Sequence, residues 1–259
     1  MGIYLLIAFL GVICGFFSGL LGIGGGIIMA PLLLYIPPLF GFEPLSMHIV
    51  AGLTIVQGLV ACLSGVIVHK RFNSVSGRLT RWMGITIFVA ALLGGAGSEY
   101  VSHHFLLLLF GAIAFLAAIL ILKSNKRDDD PSTFKDLPFS RGRALVSASG
   151  VGILGGMVGQ GGSFILIPLM TSFVHIPTRI AIGSNLAIVM LSTTAGFIGK
   201  AATGQIEWLL TVPIVLTVVP AAQFGGIMSH RVPVEKLRTI LGIVIALAAV
   251  RILISAFWG

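Results

Sequence analysis

Long apolar runs separated by short polar breaks dominate this chain, at residues 3–21, 27–40, 47–68, 82–98, 105–122, 144–158, 163–176, 180–199, 208–228 and 237–258. Most approach the roughly 20 residues that a helix needs to cross a bilayer. The pattern predicts an all-α polytopic membrane protein with about eight to ten membrane segments and no room for a soluble domain. Two runs, 27–40 and 163–176, are too short to cross as straight helices, and each follows a glycine cluster. The only long polar stretch, KSNKRDDDPSTFKDLPFSRGR at 123–143, carries six of the sixteen basic residues, four of the eight acidic ones and two prolines. Such a segment cannot pack into lipid, so it is expected to be a hydrated linker between a first membrane half, 1–122, and a second, 144–259.

Composition narrows the class further. Only 24 of 259 residues are charged, or 9%, against 57% apolar, and the mean hydropathy is +1.09. Soluble domains carry about a quarter charged residues, so a soluble globular enzyme is excluded. The net charge of +8 reads as the basic excess that orients a membrane protein rather than as a nucleic-acid footprint. The N-terminus MGIYLLIAFLGVICGFF lacks a basic leader and a cleavage site, so a retained first helix is expected. Leu6 stands where a myristoylation motif wants Ser or Thr. Cys14 and Cys62 both lie in apolar runs and read as small core residues.

The two halves repeat one another. GFFSGLLGIGGGIIMAPL (15–32) aligns without gaps on GILGGMVGQGGSFILIPL (152–169), with eight of eighteen positions identical at an offset of 137. Further along the offset is 131. Gly52 then falls on Gly183, Gly65 on Gly196, and GAIAFLAAILILKS (111–124) on GIVIALAAVRILIS (242–255), seven of fourteen identical. Duplicated membrane halves are the signature of secondary transporters, whose site lies at the repeat interface near the midplane.

Charge discriminates between parallel and inverted repeats. With Arg251 set aside as lying inside the last helix, a single crossing for each glycine-broken segment puts eleven basic residues on one side and four on the other. If each is a hairpin returning to its own side, the repeats are inverted and the split is fourteen to one, with only Lys200 on the minority side. The positive-inside rule favours the second arrangement. Each half is then a glycine-broken helical hairpin plus three transmembrane helices, with the linker cytoplasmic and both termini outside.

The glycine clusters carry the candidate chemistry. Gly22-Ile-Gly-Gly-Gly26 superficially matches a dinucleotide fingerprint, but it lacks the preceding strand and the soluble parallel sheet. Glycine lets the chain leave helical geometry, and the free N–H groups of the following helix can bind an anion. In inverted halves two helix N-termini, near Gly26–Ile27 and Gly162–Ser163, converge on one point. The expected substrate-binding set is therefore Gly22, Gly24, Gly25, Gly26 and Ile27 from the first cluster, and Gln160, Gly161, Gly162 and Ser163 from the second. Thr54, Gln57, Ser184 and Asn185 on the following helices complete it as neutral hydrogen-bond donors. Thr54 and Ser184 can equally bond to their own helix backbone, and the glycines can equally serve close helix packing. Gln223 is a weaker candidate, the histidines read as interfacial, and Arg251 snorkels. No His/Cys spacing points to a metal, no cofactor motif occurs, and no nucleophile–base pair or mid-membrane carboxylate supports an enzyme.

The glycine start with Pro31, its echo GGMVGQGGSFILIPLM, the Gly183-Ser-Asn185 stretch and the length together resemble the TauE/SafE sulfite-exporter family across essentially the whole chain. Gly52-Leu-Thr54 departs from the triplet that members often carry there. The resemblance implies export of sulfite, an organosulfonate or a related small anion across a bacterial plasma (inner) membrane by a multi-pass transporter. The competing readings are a permease for another small solute or cation, and a passive anion channel. The partners implied are a small anion and the lipid bilayer; nothing in the sequence specifies an oligomeric state.

Overall fold

Glycine and proline set where the helices stop. The computed structural model describes residues 2–71, 75–123, 139–159, 162–229 and 231–258. Among these the regular elements are α-helices with one short 3-10 turn, and no strand occurs. In chain order they are α1 (Gly2–Leu21), α2 (Gly26–Leu39), α3 (Met47–Arg71), α4 (Gly77–Gly97), α5 (His103–Lys123), α6 (Arg141–Val158), α7 (Ser163–Ser172), α8 (Thr178–Ala202), α9 (Trp208–Ser229) and α10 (Val234–Trp258). Helix α6 begins three residues inside the stretch expected to be linker; most of that stretch lies outside the described residues. Helix α7 ends four residues before its apolar run does, because the chain turns through His175 at a φ of 67° ahead of Pro177.

By length and composition, five described stretches suit a membrane crossing: 2–21, 47–67, 77–100, 180–202 and 208–229. Their outward faces are apolar, with Leu5 and Phe9 on α1 and Leu209 and Leu216 on α9 each more than 60% exposed. A surface of that kind is wetted by lipid.

Both glycine-broken pairs double back on themselves. Past the 22–25 loop the chain returns beside α1: a Cβ built on Gly25 would lie 3.0 Å from the Cys14 carbonyl oxygen. At the other end of the hairpin, a Cβ on Gly2 would lie 3.0 Å from the Phe42 ring. The second pair matches. Gly162 abuts Val151 of α6, and Arg143 donates to the Phe173 carbonyl at 3.4 Å while its guanidinium stacks 5.5 Å from that ring. Cys14 lies about 18 Å along α1 and Val151 about 15 Å along α6, at 1.5 Å per residue. Helices α2 and α7 thus start beside points well along their partner helices, a distance comparable with half of a ~30 Å hydrocarbon core.

The helix partners map onto themselves when the halves are exchanged. Helix α1 lies along α9 and α6 along α4, while α3 pairs with α8 and α5 with α10. The correspondence extends to single residues. Gly19 presses on the Ala222 backbone and Gly156 on that of Ala91; Gly94 presses on Ile153 and Gly225 on Phe16. Each of these is the 137- and 131-offset image of its mate. Such approaches leave no room for a side chain, which is how small residues draw membrane helices together. Helices α3 and α8 run antiparallel, since Gly65 meets Leu186 at 3.1 Å and Gly196 meets Ile55 at 3.0 Å.

Candidate functional site

The two hairpin tips touch at the centre of this bundle. The Ser163 hydroxyl, on the first residue of α7, donates to the Ile23 carbonyl in the first loop. The α3 and α8 helices then clamp the loops across the halves. Asn185 Nδ2 donates to the Gly22 carbonyl at 2.6 Å, and Thr54 Oγ1 lies 3.0 Å from the Gly159 carbonyl and 3.2 Å from that of Ala51. Position 54 maps on 185, and 22 on 159, so this is one interaction made twice with different side chains.

Each tip ends in a left-handed glycine. Gly25, at φ 75°, is the N-cap of α2, and Gly162, at φ 72°, is that of α7. Neither supplies a side-chain cap. Helix starts are ordinarily capped by Ser, Thr, Asp or Asn; here the Ile28 amide donates to the Gly25 carbonyl at 3.1 Å, and no N-cap side chain serves the amides before it in α2. Gln57 stands beside the first tip. It is fully buried, and neither atom of its carboxamide has a hydrogen-bond partner. A Cβ added to Gly25 would land on its Nε2. An unpaired buried amide costs about 1–3 kcal/mol, so Gln57 is a costly residue to hold beside the start of α2.

The sequence-predicted residues thus divide. Gly24, Gly25, Gly26, Ile27, Gln57, Gly162 and Ser163 come together at the tips, with Gly22, Thr54 and Asn185 holding the loops in place. Ser184 does not join them: its Oγ accepts from the Ser76 backbone N–H at 2.9 Å, tying α8 to the start of α4. Gln160 and Gly161 lie outside the described residues. Sequence reasoning passed over Ser18, which is buried, unpartnered at Oγ and packed on Gly25. A single serine in a glycine-rich helix gives no signal of its own until the hairpin folds back on it. Cys62 also reaches the tip, 3.3 Å from a Cβ on Gly24, and is a free thiol.

Among the described residues no ionised side chain contributes to this arrangement. What it offers is partial positive charge from two helix N-termini, roughly half an elementary charge each, together with neutral donors. Among the described residues no cluster of three or more His, Cys, Asp or Glu could hold a metal ion.

Comparison with known proteins places the chain among membrane transporters. The family model described as sulfite exporter TauE/SafE matches residues 7–252. A probable membrane transporter protein, YunE, of Bacillus subtilis is 25% identical over 242 residues, covering 86% of this chain and 86% of its own length. One from Xylella fastidiosa is 25% identical over 249 residues, 94% of this chain and 92% of its own. One from the archaeon Methanocaldococcus jannaschii is 22% identical over 247 residues, 91% and 90%. No solved structure matches the chain.

Proposed function

The chain belongs to the sulfite exporter TauE/SafE family of membrane transporters, and from that premise we propose that it exports a small anion such as sulfite or an organosulfonate across the bacterial plasma membrane. Substrate binds at the midplane, against the first-turn amides of α2 and α7. The carrying observation is Gln57: buried, unpaired on both carboxamide atoms and set against an uncapped helix N-terminus. An oxyanion seated there receives the Gln57 amide, the Ser18 hydroxyl and the loop amides. Two helix termini, each contributing up to ~2 kcal/mol when partly buried, hold it firmly enough to select it and loosely enough to release it.

The halves are inverted repeats, each a hairpin plus three crossing helices. Three features support this: the return of both hairpins to their starting side, the antiparallel α3–α8 pair, and the fourteen-to-one charge split. In that arrangement α1–α2 enters from one face and α6–α7 from the other, so the two tips face the site from opposite compartments.

Reconstituted protein is expected to show saturable counterflow of labelled sulfite or a small sulfonate. Gln57→Ala should lower it about ten- to a hundredfold, the loss of one hydrogen bond to a charged group, with unchanged elution on size exclusion. Wild-type flux that never saturates, or a Gln57→Ala variant moving anion at the parental rate, would remove the site from this position.

A further inference from the structure

A second site lies well away from the hairpin tips, where α4 and α6 begin. A cavity of about 710 Å³ opens there between Arg78, Arg81, Trp82 and Ile85 of α4 and Leu145 of α6. Its rim is cationic. Arg78 lies 5.9 Å from the Phe139 ring, and Arg141 stacks 5.2 Å over Trp82 from the α6 side. Among the described residues no carboxylate lines it. Below the rim the lining holds Ile85 and Thr86, and beyond the cavity the outer face of α4 continues apolar. Ile85, Val89 and Leu93, spaced four residues apart on one face of α4, are each more than half exposed. From Arg81 to Leu93 the stripe covers about 18 Å, slightly more than one leaflet of a ~30 Å core.

We propose that this groove binds an anionic phospholipid, with its phosphate between Arg78 and Arg81 and an acyl chain along Ile85, Val89 and Leu93. The charge selects against zwitterionic lipids, and the length of the apolar stripe selects against a small soluble phosphate, which would leave it uncovered. Trp82 sits where an indole ring is favoured, at the boundary between headgroup and chain. Arg141 braces that ring, and the lipid thereby fastens α4 of the first half to α6 of the second. The same end of the bundle carries the basic excess, which is the leaflet face where anionic headgroups attract such clusters.

The test uses the full-length protein in neutral detergent, with native mass spectrometry and thermal unfolding as readouts. Phosphatidylglycerol should bind about thirtyfold more tightly than phosphatidylcholine, the contribution of two basic residues near an anionic headgroup, and should raise the midpoint of unfolding. Arg78→Gln/Arg81→Gln should abolish that preference while leaving the lipid-free midpoint within a degree or so of the parent. Ile85→Ser/Val89→Ser should weaken both lipids equally. Equal affinity of the parent for the two lipids would overturn the proposal. So would inorganic phosphate matching phosphatidylglycerol at the same concentration. A third overturning result is a parent blind to lipid whose stability falls alike in Arg78→Gln/Arg81→Gln and in Asp128→Asn/Asp129→Asn/Asp130→Asn, which would make the chain's own carboxylates the occupant.

Discussion

Lys200 illustrates how far a single residue can differ from its place in a charge count. In the sequence it is the lone basic residue on the minority side. In the structure its side chain is wholly buried at the end of α8, and its amino group donates to Ser98 Oγ at 2.8 Å and Gln205 Oε1 at 3.0 Å. The group thus pins the end of α4 and the α8–α9 loop together. Burying such a group is costly, and replacing it by an apolar side chain of similar length is often neutral or stabilising. Lys200→Met should therefore unfold within about 1 kcal/mol of the parent or later, because Ser98 still has the Gly95 carbonyl at 2.7 Å to donate to. Ser98→Ala instead leaves the lysine one acceptor short and should cost about 1.5–3 kcal/mol. Thermal unfolding in one detergent compares them; the reverse order would show that the lysine stabilises the fold through its charge. Nothing in the local sequence foretold this trio, since its members are 5 to 107 residues apart and meet only when the two halves interlock. Thr54 and Asn185 were legible for the opposite reason: the repeat alignment itself set them in register.

At the scale of elements, the helices were readable because lipid forbids unpaired backbone, so every long apolar run must be a helix or a covered exception. The exceptions announced themselves as glycine clusters followed by short runs. The apolar pattern alone left direction open, and it was the placement of the basic residues that argued for hairpins. A run such as 3–21 is long enough to cross a bilayer, yet α1 is one arm of a hairpin, and only the contacts of Gly2 with Phe42 and Gly25 with Cys14 close it. Glycines with different duties also looked alike. Gly77 opens α4 with nothing near the site of a Cβ, whereas Gly156 lies against the Ala91 backbone with that site already filled. Gly77→Ala should raise stability by about 0.4–1 kcal/mol, through a less flexible unfolded chain. Gly156→Leu should force α6 off α4, and by the exchange of halves Gly19→Leu should force α1 off α9 to the same degree. Yield of monodisperse protein measures all three. A Gly156→Leu variant that purified like the parent would mean that these helices are held by something other than close backbone contact.

For the whole molecule, the duplication ties the fold to its orientation in the bilayer. Two halves related by an axis along the membrane normal would bring equivalent helices together in parallel. Helices α3 and α8 instead cross antiparallel, through Gly65 with Leu186 and Gly196 with Ile55. In the proposed topology the hairpins return to their starting side and each half crosses three times, an odd number that would invert the second half against the first. That proposal places the linker and the C-terminus on opposite faces, with the linker on the cytoplasmic side by the basic excess. Cys14 and Cys62 are free but buried, so both are first changed to Ala, and one new cysteine is placed at Ser132 or at Gly259. In intact cells a membrane-impermeant maleimide should label the Gly259 variant, and should label the Ser132 variant only after the membrane is broken. Labelling of both from the same face would require four crossings per half. The hairpin tips could not then approach from opposite sides, and the anion would have no site that alternates between the two compartments.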